Sequence, residues 1–180
     1  GDTAGSSSFT GNVTLNKDVT LTAVNDGIVS FNTGTWIAND KAITITGAEN
    51  SIVQLGAAVS TTLGITVASG RLNLNAALTG PMAVQSGATL GGNGSVSGTS
   101  SITSGTVNGT GLILTGLATF SNAGSVVSGT VTASSGIALA ASAVVTQSGT
   151  LTGSATLGAG AALTLNGGLD GSVTVGNGTL

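Results

Sequence analysis

A phrase of apolar residues around a Ser-Gly corner occurs twice between Ile65 and Gly98. Val67-Ala68-Ser69-Gly70-Arg71-Leu72 returns as Val84-Gln85-Ser86-Gly87-Ala88-Thr89-Leu90. Each copy reads as a short apolar strand, a corner and another short apolar strand. The corner recurs at Ser104-Gly105-Thr106-Val107, Ser128-Gly129-Thr130-Val131 and Ser148-Gly149-Thr150-Leu151. The spacing stays near ~20 residues, within the range of stacked-repeat architectures. A unit this short cannot bury its apolar face alone, so self-similarity at that period demands stacking on a neighbour.

Nearer the N-terminus the repeat is longer. Lys17-Asp18-Val19-Thr20-Leu21-Thr22 aligns with Lys41-Ala42-Ile43-Thr44-Ile45-Thr46, and Ile28-Val29-Ser30-Phe31 aligns with Ile52-Val53-Gln54-Leu55. Apolar residues alternate with Thr, which is strand periodicity and not helical. Asn25-Asp26-Gly27 and Glu49-Asn50-Ser51 lie between the strands and are of turn-forming types. Further strand cores are read at Leu72, Leu74, Met82, Val84, Ile102, Leu112, Leu114, Phe120, Val126, Val127, Ile137, Leu139, Leu163, Leu165, Val173 and Val175. Asn93-Gly94, Asn108-Gly109, Asn166-Gly167 and Asn177-Gly178 are expected to supply positive φ at sharp bends.

These patterns predict an all-β chain folded as a right-handed parallel β-solenoid of roughly nine coils of about 17–24 residues. At ~4.8 Å per coil the rod is roughly 40–45 Å long. An antiparallel sandwich would also use short, evenly spaced strands. Against it stand the self-similar phrase and the scarcity of aromatic residues, 2% of the chain. Residues 1–8, small and polar, are expected to be a flexible lead-in. Residues 9–180 form one solenoid domain, with longer charged coils over 9–64 and shorter, nearly uncharged coils over 65–180. No residue between Arg71 and Asp170 is charged.

Composition narrows the function classes. Gly, Ser, Thr and Asn are abundant, yet 40% of residues are hydrophobic and the mean hydropathy is +0.50. Disordered chains combine low hydrophobicity with high net charge, so disorder is excluded. Three basic residues cannot build the stripe that nucleic acid requires. With no Cys there is no disulfide framework or thiolate metal site. No signal peptide is visible, so Gly1 is expected to be either a mature N-terminus or the boundary of a fragment. The longest apolar run, Ile137 to Val145, is far short of the ~20 residues of a spanning helix, so no membrane-spanning segment is expected.

The sequence GATLGGNGSVSG from Gly87 to Gly98, with the recurring Ser-Gly-x-apolar corner, resembles the autotransporter-associated β-strand repeat and the passenger regions of autotransporter-like bacterial surface proteins. The likeness is best from Ile65 to Gly98 and continues in style to Leu180. It implies a secreted bacterial parallel β-helix acting as a stalk, adhesin or fibre, and it carries over no catalytic residues. Nothing in the chain resembles the C-terminal membrane barrel of that class.

Parallel β-helices also serve as scaffolds for polysaccharide-cleaving enzymes with clustered acids. Asp18 and Asp40, and Asp26 and Glu49, lie about one coil apart and are expected as vertical neighbours, with Lys41 beside Asp18 and Lys17 beside Asp40. Exposed pairs of this kind contribute little, and solvated turns are the plainer reading. A glycosidase needs two carboxylates flanking one bond, together with sugar-stacking aromatics. The single Trp, Trp36, is expected to pack inside a wide early coil. Gly92-Asn93-Gly94 lacks the third glycine and the helix of a dinucleotide loop. Val96 stands where the calcium nonapeptide would need Asp. Asp170 is isolated. Asn12-Val13-Thr14 and Asn108-Gly109-Thr110 match the glycosylation sequon, as chance predicts in an Asn- and Thr-rich chain.

Thr-x-Thr occurs at Thr20 and Thr22, Thr44 and Thr46, Thr130 and Thr132, and Thr150 and Thr152. A flat Thr ladder could order water and bind ice. It needs regular coils, and by sequence only the first two pairs share a strict register.

The expectation is therefore a non-enzymatic structural protein, extracellular or on the bacterial cell surface, with no catalytic, cofactor-binding or metal-ligating residues. The chain stops mid-phrase at Gly178-Thr179-Leu180, which points to end-to-end stacking into fibres, or to continuation of the solenoid if the chain is a fragment. The alternatives are an adhesin passenger touching a host or glycan surface, and, behind it, a polysaccharide-active enzyme.

Overall fold

The computed structural model describes residues 5–176, and in it every paired strand is parallel to its neighbour. The chain winds as a parallel β-solenoid of nine coils with three strands per coil. The first coil contributes Ser6–Phe9, Val13–Thr14 and Val19–Ala23. Each of these starts a column of strands, here named the first, second and third faces. The first two faces merge into one sheet because Thr106–Leu114 and Ala123–Ala133 round their shared corner without a break. The third face is a separate sheet of nine strands that ends at Val173–Val175.

Alternation sets which side chains point inward. Ile43 and Ile45 are fully buried, while Thr44 between them and Thr46 after them face out. Stacking then brings like upon like: Leu72 lies between Val53 and Leu90, and Val67 lies beside Val84. Each fully buried Leu, Ile or Val contributes about 1.5–3 kcal/mol relative to exposure. Because Val, Leu, Ile and Ala dominate, the interior is filled by ladders of small side chains and needs few aromatics. The three aromatic residues found packed together belong to the widest coils: Phe9 stacks on Phe31 with ring centroids 5.1 Å apart, and Phe31 meets Trp36 edge-on at 4.8 Å.

The repeats read from the sequence are the physical registers. Val19 pairs with Ile43, Leu21 with Ile45, Ile28 with Ile52 and Phe31 with Leu55. Coil length varies along the chain: the turn from Val19 to its partner Ile43 uses more chain than the turn from Ile65 to Met82, and the turn from Thr106 to Val126 is longer again than that from Thr89 to Thr106. The corners absorb that difference.

Several sequence expectations change. The Ser-Gly phrase marks two different corners. Ser69-Gly70, Ser86-Gly87 and Ser104-Gly105 precede first-face strands, whereas Ser128-Gly129 and Ser148-Gly149 lie between the first and second faces. The cause is drift: the interval from Ser104 to Ser128 is longer than the local coil step, which runs from Thr106 to Val126. The phrase therefore slips onto the next corner.

Gly94, Gly109 and Gly167 do not carry the expected positive φ. They are glycines because a Cβ would collide with a neighbouring backbone carbonyl, that of Ala76, Thr130 and Gly149 respectively. The left-handed bends fall instead on residues such as Gly92 and Gly111. Asn177-Gly178 and the terminal Gly178-Thr179-Leu180 lie outside the described residues.

Pairing starts inside the expected lead-in, since Ser6–Phe9 runs in register with Ile28–Phe31. Val126 faces outward and Val127 inward. Leu165 and Val175, read as core, are 38% and 42% exposed because they belong to the last described coil.

Polar groups also enter the interior. Gln147 is fully buried and stands in register with Val127, and its amide nitrogen donates to the carbonyls of Gly149 and Gly168. It thereby ties two successive coils at one corner. The Ser51, Ser100 and Ser125 hydroxyls and Trp36 Nε1 are buried without a hydrogen-bond partner.

Candidate functional site

The early acids do not converge. Val19 pairs with Ile43, and one step back along that register the position beside Asp18 is Ala42, two places past Asp40. Ile28 pairs with Ile52, and the same extension sets Asp26 beside Asn50, one place past Glu49. Both expected vertical pairs are therefore out of line. Asp18 accepts a hydrogen bond from the backbone N–H of Ala42 at 2.9 Å. Asp40 pairs with its chain neighbour, its Oδ1 lying 3.0 Å from Lys41 Nζ. The hydrogen bond from Lys41 is the main cause that holds the Asp40 carboxyl below the usual carboxylate range, helped by a backbone hydrogen bond and by the charge of the ammonium. Lys41 is thus not the partner of Asp18. Asp18, Asp26, Asp40 and Glu49 are all exposed, with no wall of apolar or aromatic residues around them to exclude water.

Trp36 is 2% exposed and faces the core, so it offers no platform for a sugar ring. The strand Thr89–Gly92 is followed by a further strand, Ser95–Val96, and not by a helix, so no phosphate-binding helix terminus forms at Gly92-Asn93-Gly94. Asp170 stands exposed on the second face beside Thr152. Among the described residues no group of three His, Cys, Asp or Glu could hold a metal ion, and no helix is long and apolar enough to cross a membrane.

No family model, curated protein or solved structure matches this chain. The fold and the surface therefore carry the functional argument alone.

The surface feature that the structure adds is the outer side of the third face. The expectation that only the first two Thr-x-Thr pairs share a register is corrected: Thr20 and Thr22 stack on Thr44 and Thr46 here, and Thr130 and Thr132 stack on Thr150 and Thr152 on the second face. All three register shifts lie in the sheet of the first and second faces, at Ile37/Asn39, Thr110/Leu112 and Ala123/Ser125. The third face pairs without a shift from Val19–Ala23 to Val173–Val175. Its central outward position reads Thr20, Thr44, Thr66, Ala83, Ser101, Thr119, Ala138, Thr156 and Thr174. Flanking columns add hydroxyls that touch one another: Thr22 Oγ1 lies 2.7 Å from Thr46 Oγ1, Thr103 Oγ1 lies 3.1 Å from Ser121 Oγ, and Ser172 Oγ donates to Ser154 Oγ at 3.1 Å.

No charged residue occurs within any strand of this face; Asp18 sits just before the first. Neighbouring tiers are about 4.8 Å apart and neighbouring columns about 6.6 Å apart, as parallel strand geometry fixes. The central column sets hydroxyls and methyls at the tier spacing, interrupted by Ala83 and Ala138. The signal was present in the sequence as the small residue that follows the first residue or two of each third-face strand. Finding it requires the coil boundaries, which the varying corners conceal.

Proposed function

We propose that this chain is a structural, non-enzymatic rod of the cell surface or extracellular space, built to be long, nearly uncharged and resistant, and extended by stacking coil upon coil. The observation that carries this reading is the unbroken parallel pairing on all three faces, which leaves the outermost described strands with one free edge each. Inward-facing or edge apolar residues are correspondingly exposed there, Phe9 at one end and Leu165 and Val175 at the other. Unpaired strand edges are templates for further strands. A second copy, or more coils of the same kind, would pair those edges and cover those side chains. A heterologous contact of this sort does not close and so generates a filament.

Negative-stain microscopy of the purified chain across a concentration series tests this. Filaments of solenoid width that lengthen with concentration support end-to-end assembly. Isolated rods of roughly 40–45 Å at every concentration, the length nine tiers give, sink it and favour a passenger segment of an adhesin. In that second reading a side face would contact a host or glycan surface. The burial of Trp36 argues against stacking on sugar rings.

A further inference from the structure

We propose that the Asn166-Gly167 corner is a site of spontaneous self-modification, at which Asn166 loses its side-chain nitrogen as ammonia and becomes a mixture of aspartate and isoaspartate. The inference does not rest on the stalk reading, because it concerns backbone chemistry at one corner.

The chain itself carries the nucleophile for this reaction. The backbone nitrogen of the residue after an Asn attacks that Asn's Cγ and closes a cyclic imide. The Cγ–Nδ2 bond breaks as it does so, and ammonia leaves with the proton given up by the backbone nitrogen. Water then adds to either ring carbonyl and opens the ring, to aspartate or to isoaspartate. Glycine in the second place favours the attack, because it has no Cβ in the way and its backbone turns freely. Two structural demands remain: the chain must be able to turn at the Asn, and the attacking N–H must not be held in a hydrogen bond.

The three Asn-Gly pairs among the described residues differ on these demands. Asn108-Gly109 lies inside the strand Thr106–Leu114, with Gly109 paired to Gly92 on one side and Gly129 on the other, so its backbone is held extended. Gly94 is buried, and its N–H donates to the Leu74 carbonyl at 2.8 Å. Asp26-Gly27, which can close the same ring by loss of water, is restrained likewise, since the Gly27 N–H donates to the Val24 carbonyl at 2.9 Å. Asn166-Gly167 meets neither restraint. It forms a bend between the strands Ala162–Leu165 and Gly168–Asp170, and both of its residues are exposed. The amides on either side are engaged, Asn166 N–H with the Gln147 carbonyl and Gly168 N–H with the Gly149 carbonyl. The Gly167 N–H between them has no hydrogen-bond partner among the described residues.

The two products differ in what they do to this corner. Gly167 sits so close over Ser148 and Gly149 that even a Cβ has no room. Isoaspartate routes the main chain through the side chain and lengthens it by one carbon, so Gly168–Asp170 loses its register on Thr150–Thr152. Aspartate keeps the backbone and adds a charge to a stretch that has none between Arg71 and Asp170.

Incubation of the purified chain, kept dilute, in mildly alkaline heavy-oxygen water tests this. Peptide mass spectrometry locates each converted Asn and the solvent oxygen that ring opening leaves in it. A parallel incubation in guanidinium chloride gives the rates of the unfolded chain. In the folded chain Asn166 should react about tenfold faster than Asn93 and Asn108, the ratio that one retained hydrogen bond produces. Unfolded, the three should react at similar rates. Amide exchange at Gly168, Leu169 and Asp170 should quicken in the isoaspartate form and stay at the fresh-chain rate in Asn166→Asp. Equal rates at the three sites in the folded chain, or faster conversion at Asn93 or Asn108, overturn the proposal. Unchanged exchange in the isoaspartate form overturns the loss of register.

Discussion

Gly149 lies so close above Gly129 that a Cβ on Gly149 would overlap the Gly129 carbonyl oxygen and crowd its nitrogen. The same relation links Gly129 to Gly109 and Gly167 to Gly149, so the corner between the first and second faces is a column of glycines in backbone contact. Gly149→Ala should therefore destabilise the solenoid by about 1–3 kcal/mol, the usual cost of forcing extra volume into a packed site. Gly168→Ala is the internal control, since a Cβ there meets nothing within 4 Å. It should shift stability by no more than about 0.5 kcal/mol. Denaturant melts of the two variants check the contrast.

Core ladders and buried hydroxyls should respond with opposite sign. Leu90 is fully buried between Leu72 and Val107, and Leu90→Ala should cost about 2–5 kcal/mol through lost transfer energy and a cavity. Ser100 is equally buried, between Met82 and Ala118, but its hydroxyl has no partner. Ser100→Ala removes an unsatisfied group and should stabilise the chain by about 1 kcal/mol. Urea midpoints measured side by side decide this; a Ser100→Ala variant less stable than wild type would contradict the assignment of an orphaned hydroxyl.

Trp36 fills the second coil against Phe31, with its indole N–H unpartnered. Trp36→Phe loses volume but also sheds that N–H, so it should cost less than about 1.5 kcal/mol. Trp36→Ala should cost about 3–5 kcal/mol. As the chain's single Trp it also reports directly on folding. Its emission should be blue-shifted in the native state and move to the red in one transition with denaturant.

Stability should vary little with pH near neutrality. The chain has no His, and the carboxylates among the described residues are exposed. Asp40 is the group whose titration is moved, downward, chiefly by the Lys41 hydrogen bond. A folded-state value below the unfolded one means that its stabilising contribution is present above the unfolded value and is lost as pH falls through the folded one. The pair is solvent-exposed, so that loss is small and screened by salt. Melting temperature should stay flat between about pH 5 and pH 9, between the ordinary carboxylate and lysine ranges. It should decline only in acid, and Lys41→Met should leave the neutral plateau unchanged. A sharp transition near pH 6.5 would contradict this reading.

Much of the architecture was legible because a solenoid writes its contacts into the sequence at a fixed offset. The alignments of Val19 with Ile43 and of Val67 with Val84, read as repeated phrases, are residue-for-residue strand pairs. The acids were less legible. Asp18 and Asp40 look one coil apart until the register of Val19 on Ile43 shows them two positions out of line. An error that small changes which side chains meet, because vertical neighbours in a parallel sheet are set by register alone.

The residues by themselves determined the period, the alternation of Thr with Ile or Leu, and the scarcity of charge. Those follow from local pattern, and together they force strands that must stack. Only the tertiary winding decided which corner each Ser-Gly serves, why Gly109 and Gly167 must lack a Cβ, and that Thr66, Ser101 and Thr119 fall in one column. The physical reason is that corners of different length can be exchanged without disturbing the strands between them. Chain spacing therefore drifts, while backbone hydrogen bonding on the third face holds every tier in step.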